Sequence, residues 1–82
     1  MELRILSPSK ERVCQIEWLE INTPAGNLVI QDNHAPLIAN ITHNSMVKLF
    51  TDNTVEEIMV SVGSIKIYNN IVTLLMHDSQ SL

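Results

Sequence analysis

Arg12-Val13-Cys14-Gln15-Ile16-Glu17-Trp18-Leu19-Glu20-Ile21-Asn22 decides the fold class of this 82-residue chain, because it can be read two ways. With a period of two, Cys14, Ile16 and Trp18 share one face and Gln15 and Glu17 the other. The phase then flips, leaving Leu19 and Ile21 apolar and Glu20 polar. A one-residue slip inside continuous alternation is what a bulge produces, or a strand that passes from one sheet to another. The rival is a helix capped at Ser9, with Val13, Ile16 and Leu19 three apart. Two clean period-two stretches, mixing β-branched residues with Trp18, favour the strand.

Outward from that segment, the rest of the chain reads as short strands between turn residues. Leu3 to Leu6 is an opening strand, stopped at Ser7-Pro8-Ser9 because proline cannot donate to a ladder. Leu28-Val29-Ile30 follows Asn22-Thr23-Pro24-Ala25-Gly26 and ends at Gln31-Asp32-Asn33. Pro36 to Thr42 alternates, His43-Asn44 turns, and Met46 to Thr51 closes at Asp52-Asn53, residues that tolerate left-handed backbone. Val55 to Val62 places Ile58, Val60 and Val62 on one face, and Gly63-Ser64 breaks it. Ile65 to Tyr68 and Ile71 to Leu75 flank Asn69-Asn70, a two-residue hairpin signal. Strands at this spacing imply an all-β sandwich or barrel. Residues 1–78 make one domain, with 79–82 as a frayed tail.

Composition sets the limits. Hydrophobic residues are 45% of the chain but Trp18, Phe50 and Tyr68 are the only aromatics, so Val, Ile and Leu must fill the core. With only Gly26 and Gly63, asparagines must serve several turns. A net charge of −4, with Arg4, Lys10, Arg12, Lys48 and Lys66 scattered, provides no stripe to neutralise phosphates and argues against nucleic acid. The lone Cys14 rules out an internal disulfide, fits a reducing compartment, and reads as a small buried hydrophobe. No apolar run approaches the ~20 residues of a spanning helix, and Met1 to Ile5 alternates instead of forming a signal peptide's apolar core. The reading is a soluble, cytoplasmic domain.

Ingredients for catalysis are sparse. His34, His43 and His77 lie too far apart for the short pairs of zinc motifs, and two isolated glycines make no phosphate loop. We therefore expect no catalytic residue, no metal and no cofactor. His34 reads as a turn residue whose ring bonds a neighbouring backbone group, since Pro36 biases Ala35 to extended backbone. An enzyme using His34 with a carboxylate such as Asp32 is the weakest of three functional readings. More informative is surplus apolar content on faces that ought to be wet: Ile38, Met46, Phe50 and Met59 all alternate away from buried neighbours. Lying together, they would form a partner surface; otherwise, two sheets share them differently.

Five strings in order carry a family resemblance: Leu3-Arg4-Ile5-Leu6-Ser7-Pro8, Gly26-Asn27-Leu28-Val29-Ile30, His34-Ala35-Pro36-Leu37-Ile38, Ser61-Val62-Gly63-Ser64-Ile65-Lys66-Ile67 and Asn70-Ile71-Val72-Thr73-Leu74-Leu75. Together they resemble the N-terminal β-sandwich domain of the ε subunit of bacterial F-type ATP synthases. The resemblance implies a flattened antiparallel sandwich of two sheets and a non-catalytic rotor role. In that role the subunit holds γ against the membrane c ring and couples proton flow to ATP synthesis. It would sit on the cytoplasmic face of the inner membrane, peripheral through its complex and without direct insertion. Carried over residue by residue, Gly26, Asn27, His34 and Ala35 resemble the edge that meets the c ring. Ala35, Leu37, Ile38 and Ser7 resemble the surface that packs on γ. The chain departs from the family in three places. Asn27 replaces the usual acidic residue, Gln31-Asp32-Asn33 replaces a Leu-Pro-Gly turn, and the loop before Gly26 is slightly shorter. The sequence stops at Leu82, before the family's helical hairpin, so the expectation is coupling without hairpin inhibition and without its nucleotide site. The alternative reading is an unrelated β-sandwich adaptor or self-associating module.

Overall fold

The computed structural model describes residues 1–77 as nine strands in two sheets: β1 Glu2–Leu6, β2 Glu11–Gln15, β3 Trp18–Thr23, β4 Gly26–Gln31, β5 Leu37–Ile41, β6 Ser45–Thr51, β7 Thr54–Val60, β8 Gly63–Tyr68 and β9 Ile71–Met76. The five-stranded sheet runs β2-β1-β9-β8-β5 and the four-stranded sheet β4-β3-β6-β7. Every pairing is antiparallel except β1 beside β9. The flattened outline measures 28 × 27 × 21 Å. The residues assigned to a frayed tail, 79–82, lie outside those described.

The ambiguous segment is strand throughout, and it changes sheets. The amide of Ile16 donates to Met1 O in the five-stranded sheet at 2.9 Å, while the next amide, Glu17, donates to Phe50 O in the four-stranded sheet at 2.9 Å. The switch falls two residues before the point the alternation suggests. Trp18 therefore does not share the face of Cys14 and Ile16. It belongs to β3, where Leu19 and Ile21 take the core and Trp18 faces outward. Thr51 Oγ1 donates to Gln15 O at 2.8 Å and satisfies the last carbonyl of β2 at the crossing.

Between the sheets lie sixteen buried hydrophobic residues and, among the described residues, no buried polar or charged side chain. Leu3, Ile5, Ile65, Ile67, Val72 and Leu74 face Leu19, Ile21, Val47, Leu49, Ile58 and Val60. Each contributes about 1.5–3 kcal/mol through loss of contact with water. Val62, expected on the buried face after Ile58 and Val60, is 41% exposed, because β7 ends at Val60 and the chain turns. The expected break at Gly63-Ser64 is instead the start of β8, where Gly63 pairs with both Ile41 and Met76. The asparagine-rich turns are as expected: Asn33, Asn44, Asp52, Asn53, Asn69 and Asn70 all have positive φ. Asp52-Asn53 and Asn69-Asn70 have φ of 50–61° at both central positions, the backbone of a type I′ hairpin.

Candidate docking surfaces

Each sheet turns its second face outward, and the register shows what it displays. On the five-stranded sheet, Val13, Arg4, Thr73, Lys66 and Ile38 form one row across β2, β1, β9, β8 and β5. Ile38 is 78% exposed and Tyr68, on the next row, 58%. Pro36, Leu37, Ile38, Lys66, Ile67 and Tyr68 line a shallow groove there of about 340 Å³. On the four-stranded sheet, Trp18, Phe50 and Val55 form a row across β3, β6 and β7. The Trp18 and Phe50 rings stack with centroids 5.7 Å apart and planes inclined by 13°. Ile38 is therefore separated by the whole sandwich from Met46, Phe50 and Met59, so these residues form two patches on opposite faces.

A second groove, about 300 Å³, runs where the edge strands β4 and β5 approach each other, lined by residues that include Gly26, Asn27, Leu28, Leu37 and Ala39. It brings Gly26 and Asn27, from the sequence-derived ring-facing edge, against Leu37. His34 and Ala35 do not join them. They follow the far end of β4, about 17 Å from Gly26 at 3.3–3.4 Å per residue. Within the other set, alternation along β5 turns Leu37 toward the core and Ile38 outward. Ser7 lies in the β1–β2 turn, bonded to Lys10 through its amide and hydroxyl. The register puts that turn at the opposite end of the sheet from Ala35 and on the far side of β9 and β8.

Local bonding explains several of these residues. The φ of +130° at Gly26 requires glycine by backbone conformation, since a Cβ there would meet nothing within 4 Å. Asn27 Nδ2 lies 2.9 Å from Glu20 Oε2 and 3.1 Å from Asn22 Oδ1. An acidic residue at 27 would oppose the Glu20 carboxylate, so asparagine suits this hairpin. His34 Nδ1 lies 2.7 Å from Ala35 O, the backbone bond expected of a turn residue. Asp32 Oδ1 accepts from the Met1 ammonium at 3.1 Å, and that bond and charge hold its pKa below the ordinary carboxylate value. Cys14 is half-buried against the core, and desolvation raises its thiol pKa, so it is a poor nucleophile at neutral pH.

An open cleft of about 540 Å³ lies at the other end of the sandwich between His43 and His77, with Asn40, Thr42 and Gly63 among its lining residues. His34 is at the opposite end, so the fold does not gather the three histidines. Among the described residues no group of three His, Cys, Asp or Glu side chains could hold a metal ion, and no helix is long and apolar enough to cross a membrane. Sequence reasoning missed Tyr68 and Val55, which enlarge the two apolar patches. Each follows from the alternation of its strand once the register is known.

Comparison with known proteins adds the following. Residues 1–80 match the family model described as ATP synthase, Delta/Epsilon chain, beta-sandwich domain. Among solved structures, a chain from the central stalk/c-ring of the Tetrahymena thermophila mitochondrial ATP synthase superposes with a TM-score of 0.81 at 17% identity, covering 95% of this chain and 63% of that one. A chain of the Euglena gracilis mitochondrial ATP synthase OSCP/F1/c-ring structure gives 0.81 at 12% identity, covering 90% of this chain and 48% of that one. The chain thus spans less than two thirds of the length of either neighbour. No curated protein sequence matches it significantly.

Proposed function

We propose that this chain, which belongs to the ATP synthase delta/epsilon β-sandwich family, serves as a non-catalytic rotor subunit of an F-type ATP synthase. In this reading it links γ to the c ring at the foot of the central stalk, so that ion-driven ring rotation turns γ inside the catalytic head. Its place is the cytoplasmic face of a bacterial inner membrane, peripheral and held there by its partners. A mechanical coupler needs a stiff body with two adhesive surfaces and no reactive group. The observation that carries the reading is the pair of outward apolar patches on opposite faces of one interlocked core: Ile38 and Tyr68 on one side, Trp18, Phe50 and Val55 on the other. Ala35, Leu37, Ile38 and Ser7 are assigned to γ, and Gly26, Asn27, His34 and Ala35 to the ring. The groove joining Gly26 and Asn27 to Leu37 supports an edge at which both partners are approached. Ser7 has the least support, being at the opposite end of the sheet from Ala35.

The test is co-purification of the full chain with γ and c-ring proteins of the same organism. Stable capture of both supports the reading. A chain that ignores γ and forms a homo-oligomer by sedimentation would instead be a self-associating sandwich module.

A further inference from the structure

The charges of this domain are sorted by sheet. Apart from Arg12, which is neutralised by Glu56 across the two sheets, the basic residues Arg4, Lys10 and Lys66 lie on the five-stranded sheet or its β1–β2 turn, and only Lys48 lies on the four-stranded sheet. Acidic residues outside that pair divide the other way: Glu2 and Glu11 on the first sheet, Glu2 being paired with Arg4, and Glu17, Glu20, Asp52 and Glu57 on the second, its entry or its turn. Lys48 stands between Glu20 and Glu57 in the register, so its charge is offset on both sides. Glu17 immediately precedes Trp18 at the entry to β3, and Asp52 stands in the β6–β7 turn two residues after Phe50, both exposed. Val55 at 53%, Val29 at 48% and Met59 at 45% exposure leave apolar surface uncovered inside this acidic surround.

We propose that the outer face of the four-stranded sheet docks a basic amphipathic protein segment, one that sets apolar side chains on the Trp18-Phe50-Val55 row and Lys or Arg beside Glu17, Glu20 and Glu57. Apolar contact supplies affinity, and charge complementarity chooses the partner and excludes acidic ones. The exposed side of the stacked aromatic pair also suits an arginine, through its attraction to the Trp18 ring face. The opposite face, with Lys66 directly beside Ile38, disfavours the same segment, so the charge division gives the domain a polarity that apolar content alone does not. The inference concerns the chemistry of one face and does not depend on the stalk assignment.

Trp18 is the only tryptophan, so its emission reports occupancy of this face directly. The probes are a short amphipathic Leu/Lys peptide and its Leu/Glu counterpart, each titrated into the full chain. The Leu/Lys peptide is expected to change Trp18 emission saturably and to weaken about tenfold between about 0.05 and 0.5 M salt as screening shortens the reach of the charges. The Leu/Glu peptide is expected to leave it unchanged. Glu17→Lys with Glu57→Lys, both exposed positions, should reverse the preference. Val55→Asp should weaken the Leu/Lys peptide at least threefold, with circular dichroism verifying that each variant is folded. Equal binding of both peptides, unchanged preference in the charge-reversed chain, or amide shifts that map the Leu/Lys peptide to Ile38 and Tyr68 would each overturn the proposal.

Discussion

Arg12 on β2 and Glu56 on β7, forty-four residues apart in the chain, meet as a two-pronged ion pair that bridges the two sheets. One prong, Nη2 to Oε1, measures 2.8 Å, and the other joins Nη1 to Oε2. The pair closes the side of the sandwich formed by edge strands β2 and β7. The opposite side, between β4 and β5, is the open groove beside Gly26 and Leu37. One edge is therefore clipped shut and the other left accessible, which gives the domain a defined front.

The clip should make stability depend on pH. The hydrogen bond to Arg12 is the main cause of a folded-state Glu56 pKa below its ordinary 4.5. A lowered folded pKa means that the stabilisation is fully present above the unfolded value and is lost as pH falls through the folded one. Both side chains are about one third exposed, so we expect Glu56→Gln to cost no more than about 1 kcal/mol at neutral pH. In urea unfolding, the gap between wild type and variant should begin to narrow near the ordinary value of 4.5 and close only once pH has fallen through the lower folded-state value. A gap unchanged at acid pH would mean the pair contributes packing and not charge.

Gly63 should resist any side chain. A Cβ there would stand 2.8 Å from Leu75 O and 2.8 Å from Val60 Cγ1. The carbonyl belongs to the paired strand β9 and cannot move without breaking the ladder. Gly63→Ala is expected to cost about 1–3 kcal/mol, the usual penalty for overpacking. Trimming Val60 to alanine in the same chain should not restore stability, because the carbonyl clash persists. Recovery in the double variant would identify the valine as the only obstacle.

The two residues of the β8–β9 turn should respond differently to glycine. Both have positive φ, which glycine adopts freely, so Asn69→Gly should be neutral or slightly stabilising. Asn70 does more than turn: its Oδ1 accepts the Asn33 amide at 2.8 Å and ties this hairpin to the β4–β5 connection. Asn70→Gly should lose about 0.5–1 kcal/mol. It should also speed hydrogen exchange at Asn33, while Asn69→Gly leaves that amide unchanged.

Strand order along the chain and the turns were readable in sequence because both signals are local. Asp52-Asn53 and Asn69-Asn70 adopt the left-handed backbone those residue types tolerate. Three features were not readable, because each depends on contacts between distant residues. Alternation identifies Ile38 and Phe50 as outward but not that they look in opposite directions, which depends on which sheet each strand joins. The switch at Ile16-Glu17 is fixed by acceptors on Met1 and Phe50, so Trp18 went to the wrong face. Gly63 read as a strand breaker, whereas its missing Cβ lets β8 pack beside Leu75. Alternation does separate two of the site residues, Leu37 and Ile38, which are adjacent in sequence and face opposite ways.

That adjacency provides the sharpest test of the docking surface. Leu37 packs against the core and Ile38 is 78% exposed, one residue apart on the same edge strand. Leu37→Asp would place a carboxylate where apolar neighbours surround it, costing about 1–3 kcal/mol. In a domain this small, each kcal/mol lowers the melting temperature by about 4–8 °C. Ile38→Asp removes no core contact and should stay within about 0.5 kcal/mol of wild type. If the Ile38 face packs on γ as proposed, that same substitution should abolish γ capture at unchanged stability, the charged side chain being stranded in an apolar contact. A variant that melts early would mean Ile38 supports the core. Normal melting with undiminished γ capture would move the γ contact elsewhere on the sandwich.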